Sequence, residues 1–282
     1  MVDIKSLQKK ILEITLYLDS FCKEHQIEYY LMGGSALGAL RHNGFIPWDD
    51  DLDVFMTYDN YQKFIDCAKK YLDTDHFYLQ EENTAEWPMF FTKLRMNGTT
   101  FIEENTQDSE MHQGVFIDIM CLNNVSNNQF YRFGQYISAL LLTAQTIDKR
   151  GYRYNTSLKK KVAMIFARFF VRGKVKVFLL NFVRSLNNKN TDLVGHFFGK
   201  APYRKTSFPK KWLGIMRYVD FDGEKLPVPE KAEEYLTLRF GNWRKMPDQK
   251  TLDQYPVHAL FVDLEKDYTE YVKKGYDFKN NI

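Results

Sequence analysis

Residues 44–55 read Gly-Phe-Ile-Pro-Trp-Asp-Asp-Asp-Leu-Asp-Val-Phe and crowd four carboxylates between bulky apolar side chains. In a strand, Asp51 and Asp53 would share one face, and Leu52 would point the other way, into a core. Two carboxylates that are forced together repel each other and resist ionisation unless a cation lies between them. A hard divalent cation, Mg²⁺ or Mn²⁺, prefers oxygen ligands and resolves this conflict. The alternative is a solvated acidic turn.

The residues just upstream predict a phosphate cradle beside these acids. We expect a strand over 27–32, a sharp turn at Gly33 and Gly34, and a helix that Ser35 caps. Free amide groups at the start of a helix form an anion site. The order strand, Gly-Gly-Ser, helix and acidic strand therefore presents a phosphate site that faces a metal site. An isolated Gly-Gly-Ser would indicate no more than a turn.

Hydrophobic periodicity predicts the remaining elements. Apolar residues recur at three- and four-residue steps over 3–25, as in an amphipathic helix. Asn97-Gly98 lies between two predicted strands and is a hairpin signal. The result is a mixed α/β fold, with a small mixed sheet backed by helices. Further helices are expected at 58–72, over most of 130–199 and at 229–240, and strands at 77–80, 90–96, 99–103 and 114–122.

These motifs resemble those of a known family. Gly-Gly-Ser at 33–35 followed by Asp-Leu-Asp-Val at 51–54 is similar to the signature of the nucleotidyltransferase superfamily. The longer string over 33–56 resembles the LicD family, which includes bacterial phosphocholine transferases and fukutin-related proteins. The likeness covers residues 1–122 and roughly 205–260.

The resemblance implies a nucleotidyltransferase-fold core of the mixed α+β kind. We assign residues 1–124 to this catalytic core and residues 125–200 to a basic helical region that binds a membrane surface or the acceptor. Residues 201–282 are expected to form a loop-rich segment that completes the active site.

Asp118 is the third expected carboxylate. It lies among apolar residues of a predicted strand, and a buried Asp must be paired, hydrogen-bonded or metal-bound. A structural Asp is the alternative. The resemblance implies that Asp51, Asp53 and Asp118 are the catalytic residues and the ligands of Mg²⁺ (or Mn²⁺), with Asp118 as the base near the acceptor hydroxyl.

Other side chains are candidates for substrate binding. Arg41 could contact the departing phosphate or pair with the acidic cluster. Lys93 and Arg95 share a strand face and could hold a nucleotide phosphate, or form a surface ladder. Trp48 and Trp243 could receive a quaternary ammonium on their faces, or could simply be core. The predicted substrate-binding set is Gly33, Gly34, Ser35, Arg41, Trp48, Lys93, Arg95 and Trp243.

Charge is distributed unevenly along the chain. The formal net charge is +3, yet residues 149–189 contain twelve Lys or Arg and no Asp or Glu. The apolar runs in this segment are too short and too often interrupted by charge for an ordinary membrane span. Two interpretations stay open: basic helices at an anionic membrane surface, or core-packing helices with a solvated basic face.

Cysteine usage and the N-terminal residues suggest a cytoplasmic protein. Cys22, Cys67 and Cys121 form no CxxC pair, which argues against a zinc site or a disulfide framework. The histidines other than His42, including His258, lack metal-ligand spacing and receive no role. Acids and lysines interrupt the apolar runs of the first 21 residues, so no signal-peptide pattern is present. We expect a cytoplasmic protein with a peripheral contact at the inner face of the cell membrane.

The resemblance implies an enzyme, a phosphotransferase of the LicD type. It would transfer phosphocholine from CDP-choline to a sugar hydroxyl of a cell-surface glycan, such as a teichoic acid, lipopolysaccharide or capsule precursor, and release CMP. The acceptor is expected to be lipid-linked, and no nucleic-acid partner is expected. Two alternatives stay open. One is transfer of glycerol or ribitol phosphate from its CDP donor; the other is a nucleotidyltransferase that releases pyrophosphate.

Overall fold

A mixed sheet lies at the centre of the protein, whose computed structural model describes residues 3–103, 106, 109–151, 158–253 and 258–272. The predicted fold class, mixed α/β, is confirmed. The strands are β1 (Tyr30–Leu31), β2 (Asp53–Thr57), β3 (Phe77–Gln80), β4 (Thr92–Met96), β5 (Thr100–Glu103), β6 (Phe116–Val125), β7 (Leu193–Gly195), β8 (Ser207–Pro209), β9 (Arg217–Phe221), β10 (Glu224–Val228) and β11 (Ala259–Asp263). The helices are α1 (Ile4–Glu24), α2 (Gly33–His42), α3 (Tyr58–Tyr71), α4 (Gln129–Gly151), α5 (Leu158–Phe170), α6 (Gly173–Arg184), α7 (Ala232–Phe240), α8 (Gln249–Asp253) and α9 (Thr269–Val272).

The strand order places the predicted chemistry in one row. Strands follow one another as β1-β2-β6-β4-β3, with β7 joining the end of β6 and β8 pairing with β7. β2 and β6 run parallel, and Asp53 is the register partner of Asp118. β4 runs antiparallel to β6, and Lys93 is the other partner of Asp118. Paired residues on neighbouring strands project to the same face, so these three side chains are neighbours.

Helix α1 covers one face of this sheet, as its periodicity predicts. Leu7, Ile11, Ile14 and Leu18 are buried at steps of four, three and four residues. They pack in one core cluster with strand residues that include Ile117 and Ile119. The helix is one residue shorter at each end than predicted. Asp3 caps it by accepting a hydrogen bond from the amide of Ser6.

The predicted Asn97-Gly98 hairpin is wrong. Gly98 does turn the chain with φ of +69°. However, β4 pairs with β3 and β6, whereas β5 pairs with β11 near the other end of the sequence. The Asn97 side chain donates to the carbonyl oxygens of Thr74 and Asp75, which ties the turn to the loop before β3. β5 therefore leaves β4 and forms a separate ladder.

The helical region is joined to the core sheet through the end of β6. This strand runs to Val125, across the predicted boundary after residue 124, and the domain division itself stays a prediction. The Asn124 side chain donates to the carbonyl oxygens of Leu186, Asn187 and Lys189, just after α6. The helical region ends at Arg184, before the predicted residue 199. The chain then forms β7, which begins at Leu193 and pairs with β6.

A buried ion pair also links the helical region to the core. Arg184 at the end of α6 donates to the carboxylate of Glu82, which follows β3. Burial raises the pKa of Glu82, and the guanidinium of Arg184 opposes that rise. The pair therefore depends on both partners. Among the described residues, none of the helices is long and apolar enough to cross a membrane.

We predict that Arg184→Met lowers the free energy of unfolding by about 3 kcal/mol at pH 8, since it strands a buried carboxylate. A group whose folded pKa is raised stabilises the fold below its unfolded pKa and loses that contribution as pH rises. The deficit should therefore shrink as the pH falls through the folded pKa of Glu82. Denaturant unfolding at several pH values measures this.

Two control variants accompany that test. Arg204→Met removes an exposed arginine and should change stability little. The double variant Glu82→Gln/Arg184→Met leaves no stranded charge and should be more stable at pH 8 than Arg184→Met. A pH-independent deficit would contradict the assignment.

Candidate active site

The three predicted carboxylates lie around the starts of β2 and β6. Asp53 is the first residue of β2, and Asp118 is the third residue of β6. Asp51 precedes the strand, so its predicted position on a shared strand face with Asp53 is wrong. The ladder to β6 begins where the amide of Asp118 donates to the carbonyl of Leu52 at 2.9 Å. Before that point, contacts of Asp50 with the C-terminal part of the chain direct the backbone.

Burial and mutual repulsion perturb these acids. The pKa of Asp53 is raised well above its ordinary value, first by burial and then by the charges of Asp51 and Asp118. Burial also raises the pKa values of Asp51 and Asp118. Repulsion that suppresses ionisation is the signature expected of a site that is completed by positive charge.

Lys93 supplies one positive charge to this group. Its ammonium nitrogen lies 2.9 Å from Oδ1 of Asp118 and 3.1 Å from the ring centroid of Phe116. Burial lowers the pKa of Lys93, and the carboxylate of Asp118 opposes the decrease. The interpretation of Lys93 and Arg95 as a surface ladder is wrong, because both side chains are buried.

Arg95 has structural partners within the same face. Its guanidinium donates to Oε1 of Gln80 and to the carbonyl of Gly114, and it lies 4.9 Å from the centroid of Phe116. These contacts hold the arginine inside the protein. A contact of Lys93 or Arg95 with a nucleotide phosphate stays a prediction. A phosphate that binds Lys93 would compete with the carboxylate of Asp118 for the ammonium group.

The glycine turn lies directly against the acids, as predicted. Gly33 has φ of +61°, a conformation that favours glycine, and a Cβ there would lie 3.5 Å from Oδ2 of Asp53. A Cβ on Gly34 would lie 3.2 Å from Oδ2 of Asp49. The backbone conformation therefore favours glycine at Gly33, and the close approach of Asp49 favours it at Gly34.

Ser35 does not cap the helix, which is a correction. Helix α2 begins at Gly33 after Met32, and no side chain caps it. The hydroxyl of Ser35 instead accepts a hydrogen bond of 2.7 Å from the amide of Asp53. This bond couples the first turn of α2 to the start of β2. The amide of Gly33 donates to the hydroxyl of Tyr235 on α7, at 3.2 Å.

His258 also reaches the site, although its sequence context indicated no role. The carboxylate of Asp50 accepts hydrogen bonds from the amide of His258 at 2.7 Å, from its Nδ1 at 2.7 Å and from the amide of Ala259 at 3.1 Å. The hydrogen bond to Asp50 raises the pKa of His258 to about 9. Nδ1 also lies 3.8 Å from Oδ2 of Asp51. Asp50 therefore anchors the start of β11 beside the acids.

Two predicted aromatic residues are brought together. Trp48 and Trp243 belong to one apolar cluster that also contains Met32 and Leu37. Trp243 is buried, whereas Trp48 is partly exposed. Arg41 donates to the carbonyl of Trp243 at 3.0 Å and so ties α2 to the segment after α7. The tryptophans thus adjoin the helix that starts at the acidic centre.

Comparison with known proteins shows which proteins this chain resembles. Residues 26–132 match the family model described as LicD/FKTN/FKRP, nucleotidyltransferase domain. The chain is 28% identical over 261 residues to the lipopolysaccharide cholinephosphotransferase LicD of Haemophilus influenzae, which spans 90% of this chain and 96% of that protein. This chain is similar to proteins of the LicD family. A 31-residue segment is 52% identical to uncharacterized proteins of Rickettsia prowazekii and Rickettsia typhi, and it spans 11% of this chain and 12% and 10% of those proteins.

The LicD match covers the carboxylate row. Asp51, Asp53, Lys93 and Asp118 all lie within the matched residues 26–132. Tyr235, Trp243 and His258 lie outside that range and reach the site through the tertiary fold. The predicted resemblance to the LicD family is confirmed, as is the prediction that the chain is an enzyme of the transferase class.

The acids of this site fit a divalent cation. Oδ1 of Asp118 is buried and lies 2.9 Å from the ammonium nitrogen of Lys93. A carboxylate oxygen has two lone pairs, so it can accept from Lys93 and still bind a cation. Burial raises the pKa values of all three acids, and repulsion from neighbouring acids adds to the rise for Asp51 and Asp53. Asp50, Asp51 and His258 also offer ligand atoms within 4.8 Å of one another. However, the hydrogen bonds of Asp50 to the segment at 258–259 give it an anchoring role.

We predict that Asp50→Ala loosens the start of β11. The variant removes three hydrogen bonds to a charged acceptor, so amide hydrogen exchange over 258–263 should accelerate at least about tenfold. Mass spectrometry of peptides from this segment measures the rate. Asp59→Ala, which removes an exposed carboxylate on α3, is the matched control. Unchanged exchange in Asp50→Ala would show that Asp50 does not anchor the segment.

Proposed function

We propose that this protein transfers phosphocholine from CDP-choline to a sugar hydroxyl of a cell-surface glycan and releases CMP. The observation that carries the proposal is the register of Asp53 with Asp118, with the glycine turn of α2 against it. The family relative named as a lipopolysaccharide cholinephosphotransferase supports the choice of group and acceptor. Lipopolysaccharide, teichoic acid and capsule precursors are the proposed acceptors.

Asp51, Asp53 and Asp118 are proposed to hold Mg²⁺ (or Mn²⁺). The ion would neutralise the charge that develops on the oxygen between phosphocholine and CMP. The protein contributes the alignment of donor and acceptor. The raised pKa values of the acids support this assignment, because a bound cation would relieve their repulsion.

Asp118 is proposed as the base that receives the proton of the acceptor hydroxyl. The hydroxyl oxygen forms a bond to the choline-bearing phosphorus while the bond from that phosphorus to the CMP oxygen breaks. The bonding electron pair leaves with CMP. Burial raises the pKa of Asp118 and so increases its basicity, and Lys93 holds the carboxylate in place at 2.9 Å.

The donor phosphates are proposed to lie at the first turn of α2. The amides of Gly34 and Ser35 are the chosen donors, because the amide of Gly33 donates to Tyr235. The helix dipole adds to this attraction for an anion. Ser35 contributes a second effect: its bond to the amide of Asp53 fixes the distance between the cradle and the carboxylates.

The trimethylammonium group of choline is proposed to contact Trp48, with Trp243 as the second aromatic candidate. A quaternary ammonium cannot donate a conventional N–H hydrogen bond, so aromatic faces and carboxylates must recognise it. Trp48 adjoins Asp49 and Asp50 in sequence and is partly exposed. Trp243 is buried in the same cluster and is therefore less accessible to a ligand than Trp48.

The test incubates purified protein and Mg²⁺ with CDP-choline, CDP-glycerol or CDP-ribitol, with and without candidate acceptor glycans. Acceptor-dependent CMP release from CDP-choline supports the proposal. Preference for CDP-glycerol or CDP-ribitol would replace choline by another phospho-alcohol. Pyrophosphate release from a nucleoside triphosphate, without CMP release from any CDP-alcohol, would indicate a nucleotidyltransferase.

We predict that Asp53→Asn lowers kcat by about three orders of magnitude, about 4 kcal/mol, while the fold stays intact. Without added metal, the variant should melt at a higher temperature than the parent protein, because a repulsive buried charge is gone. Mg²⁺ should raise the melting temperature of the parent protein but not that of the variant. Asp59→Asn, on an exposed face of α3, is the control. Near-normal activity at saturating Mg²⁺ would remove Asp53 from the proposed site.

We predict that Trp48→Leu weakens CDP-choline binding by about 2- to 30-fold, the range of a single cation–π contact. CDP-glycerol carries no cation, so its binding should change less. Competition assays with both donors measure the ratio. An equal loss for both donors would assign Trp48 a packing role.

A further inference from the structure

The surface of the helical region exposes large apolar side chains that proteins usually bury. Phe169, Phe170 and Phe178 are 66%, 61% and 67% exposed. They lie at the end of α5 and in the first half of α6, on both sides of a bend at Gly173, where φ is +49°. We call residues 166–178 the docking tip. An exposed apolar patch of this kind marks an interaction surface.

The exposure follows a helical pattern. Along α5, one stripe with steps of three and four residues faces the core, and its members Met164, Ala167 and Val171 are buried. Ala167 and Val171 of this stripe pack in one cluster with Val183 of α6. The same cluster contains Phe90, Val125 and Phe197. The first stripe makes the contacts of α5 with the core. The opposite stripe of α5 also consists of apolar residues, but it is exposed. Its members are Leu158, Val162, Ile165, Phe166, Phe169 and Phe170.

The docking tip is also basic. Arg168, Arg172 and Lys174 are exposed between the aromatic residues. Residues 149–189 contain no Asp or Glu, although 152–157 lie outside the described residues. Long basic side chains can extend their charged ends toward anionic headgroups while neighbouring phenyl rings enter the acyl boundary. Apolar and basic groups therefore alternate as a lipid interface requires.

We propose that the docking tip binds the surface of an anionic lipid bilayer. Positive charges with interleaved phenylalanines complement a negatively charged, apolar-cored surface. A second copy of the chain is a poorer occupant. A symmetric dimer would place the same basic patch against itself, and the like charges would repel.

The tip is rigidly connected to the strand that carries Asp118. Arg184 at the end of α6 pairs with the buried Glu82, and the side chain of Asn124 binds three carbonyl oxygens just after α6. Asn124 and Asp118 lie on the same strand, β6. Lipid binding would thus set the position of the acids relative to a bilayer that carries a glycan acceptor. Only this consequence rests on the proposed function.

The test is flotation of the full chain with vesicles of phosphatidylcholine alone or of phosphatidylcholine with phosphatidylglycerol, at low and high salt. We expect recovery with the anionic vesicles, reduced by salt. The triple variant Phe169→Ser/Phe170→Ser/Phe178→Ser should lower the partition coefficient at least about tenfold, because it removes apolar area that would enter the bilayer. Phe130→Ser, at an 89% exposed position on α4 outside the tip, should bind as the parent does.

Charge reversal separates the electrostatic contribution. Arg172→Glu/Lys174→Glu should weaken anionic-vesicle binding about tenfold or more. Lys70→Glu/Lys211→Glu makes the same change in net charge at exposed positions elsewhere and should weaken it less. Circular dichroism and melting temperature establish that each variant is folded.

Three results would overturn the proposal. Equal recovery with neutral and anionic vesicles would exclude the charge complementarity. Binding that survives both tip variants would place the lipid contact elsewhere. A dimer in analytical ultracentrifugation that the triple variant converts to monomer, without vesicle binding by the parent, would make a second copy the occupant. Because none of these measurements involves CDP-choline, their failure is distinguishable from failure of the proposed reaction.

Discussion

Repulsion among the partly buried carboxylates of Asp51, Asp53 and Asp118 is the constraint on which the site depends. Burial raises the pKa of each acid, and the charges of Asp51 and Asp118 raise the pKa of Asp53 further. A fold tolerates such a group only where the surrounding structure holds it together and positive charge offsets it. Lys93 provides part of that charge from the neighbouring strand. The proposed divalent cation would provide the rest.

Much of the remaining structure holds this arrangement in place. Ser35 joins the start of α2 to Asp53, and Tyr235 joins the same turn to α7. Asp50 binds the segment before β11, and Arg41 binds the segment that carries Trp243. Contacts across about 200 residues of sequence thus converge on one turn and one acidic loop. The family match ends at residue 132. This convergence explains how residues far beyond that point come to lie beside the acids.

Local sequence patterns predicted the parts of the site whose physics is local. Apolar periodicity predicted α1, and β3 has the predicted bounds 77–80. The Gly-Gly-Ser and Asp-Leu-Asp strings predicted a glycine turn beside acids, and both glycines do lie against carboxylates. Errors arose where a distant partner intervened. Asn97-Gly98 turns the chain, but β11 rather than β4 pairs with β5. Ser35 has the chemistry of a cap, yet the amide of Asp53 binds its hydroxyl.

The sequence by itself determined the mixed fold, the crowding of acids at 49–53 and the contrast between a basic helical segment and an acidic loop, whereas Asp118 joined the predicted set through the family resemblance. The fold class and the charge contrast follow from residue chemistry and from periods of two to four residues, which act over short distances. Only the tertiary structure decided that Lys93 pairs with Asp118, that Tyr235 and His258 reach the site, and that the apolar stripe of α5 faces outward. An amphipathic pattern states that a helix has an apolar stripe, but not which stripe the core covers. That choice depends on packing against residues far away in sequence, such as Phe90 and Phe197, which no local pattern encodes.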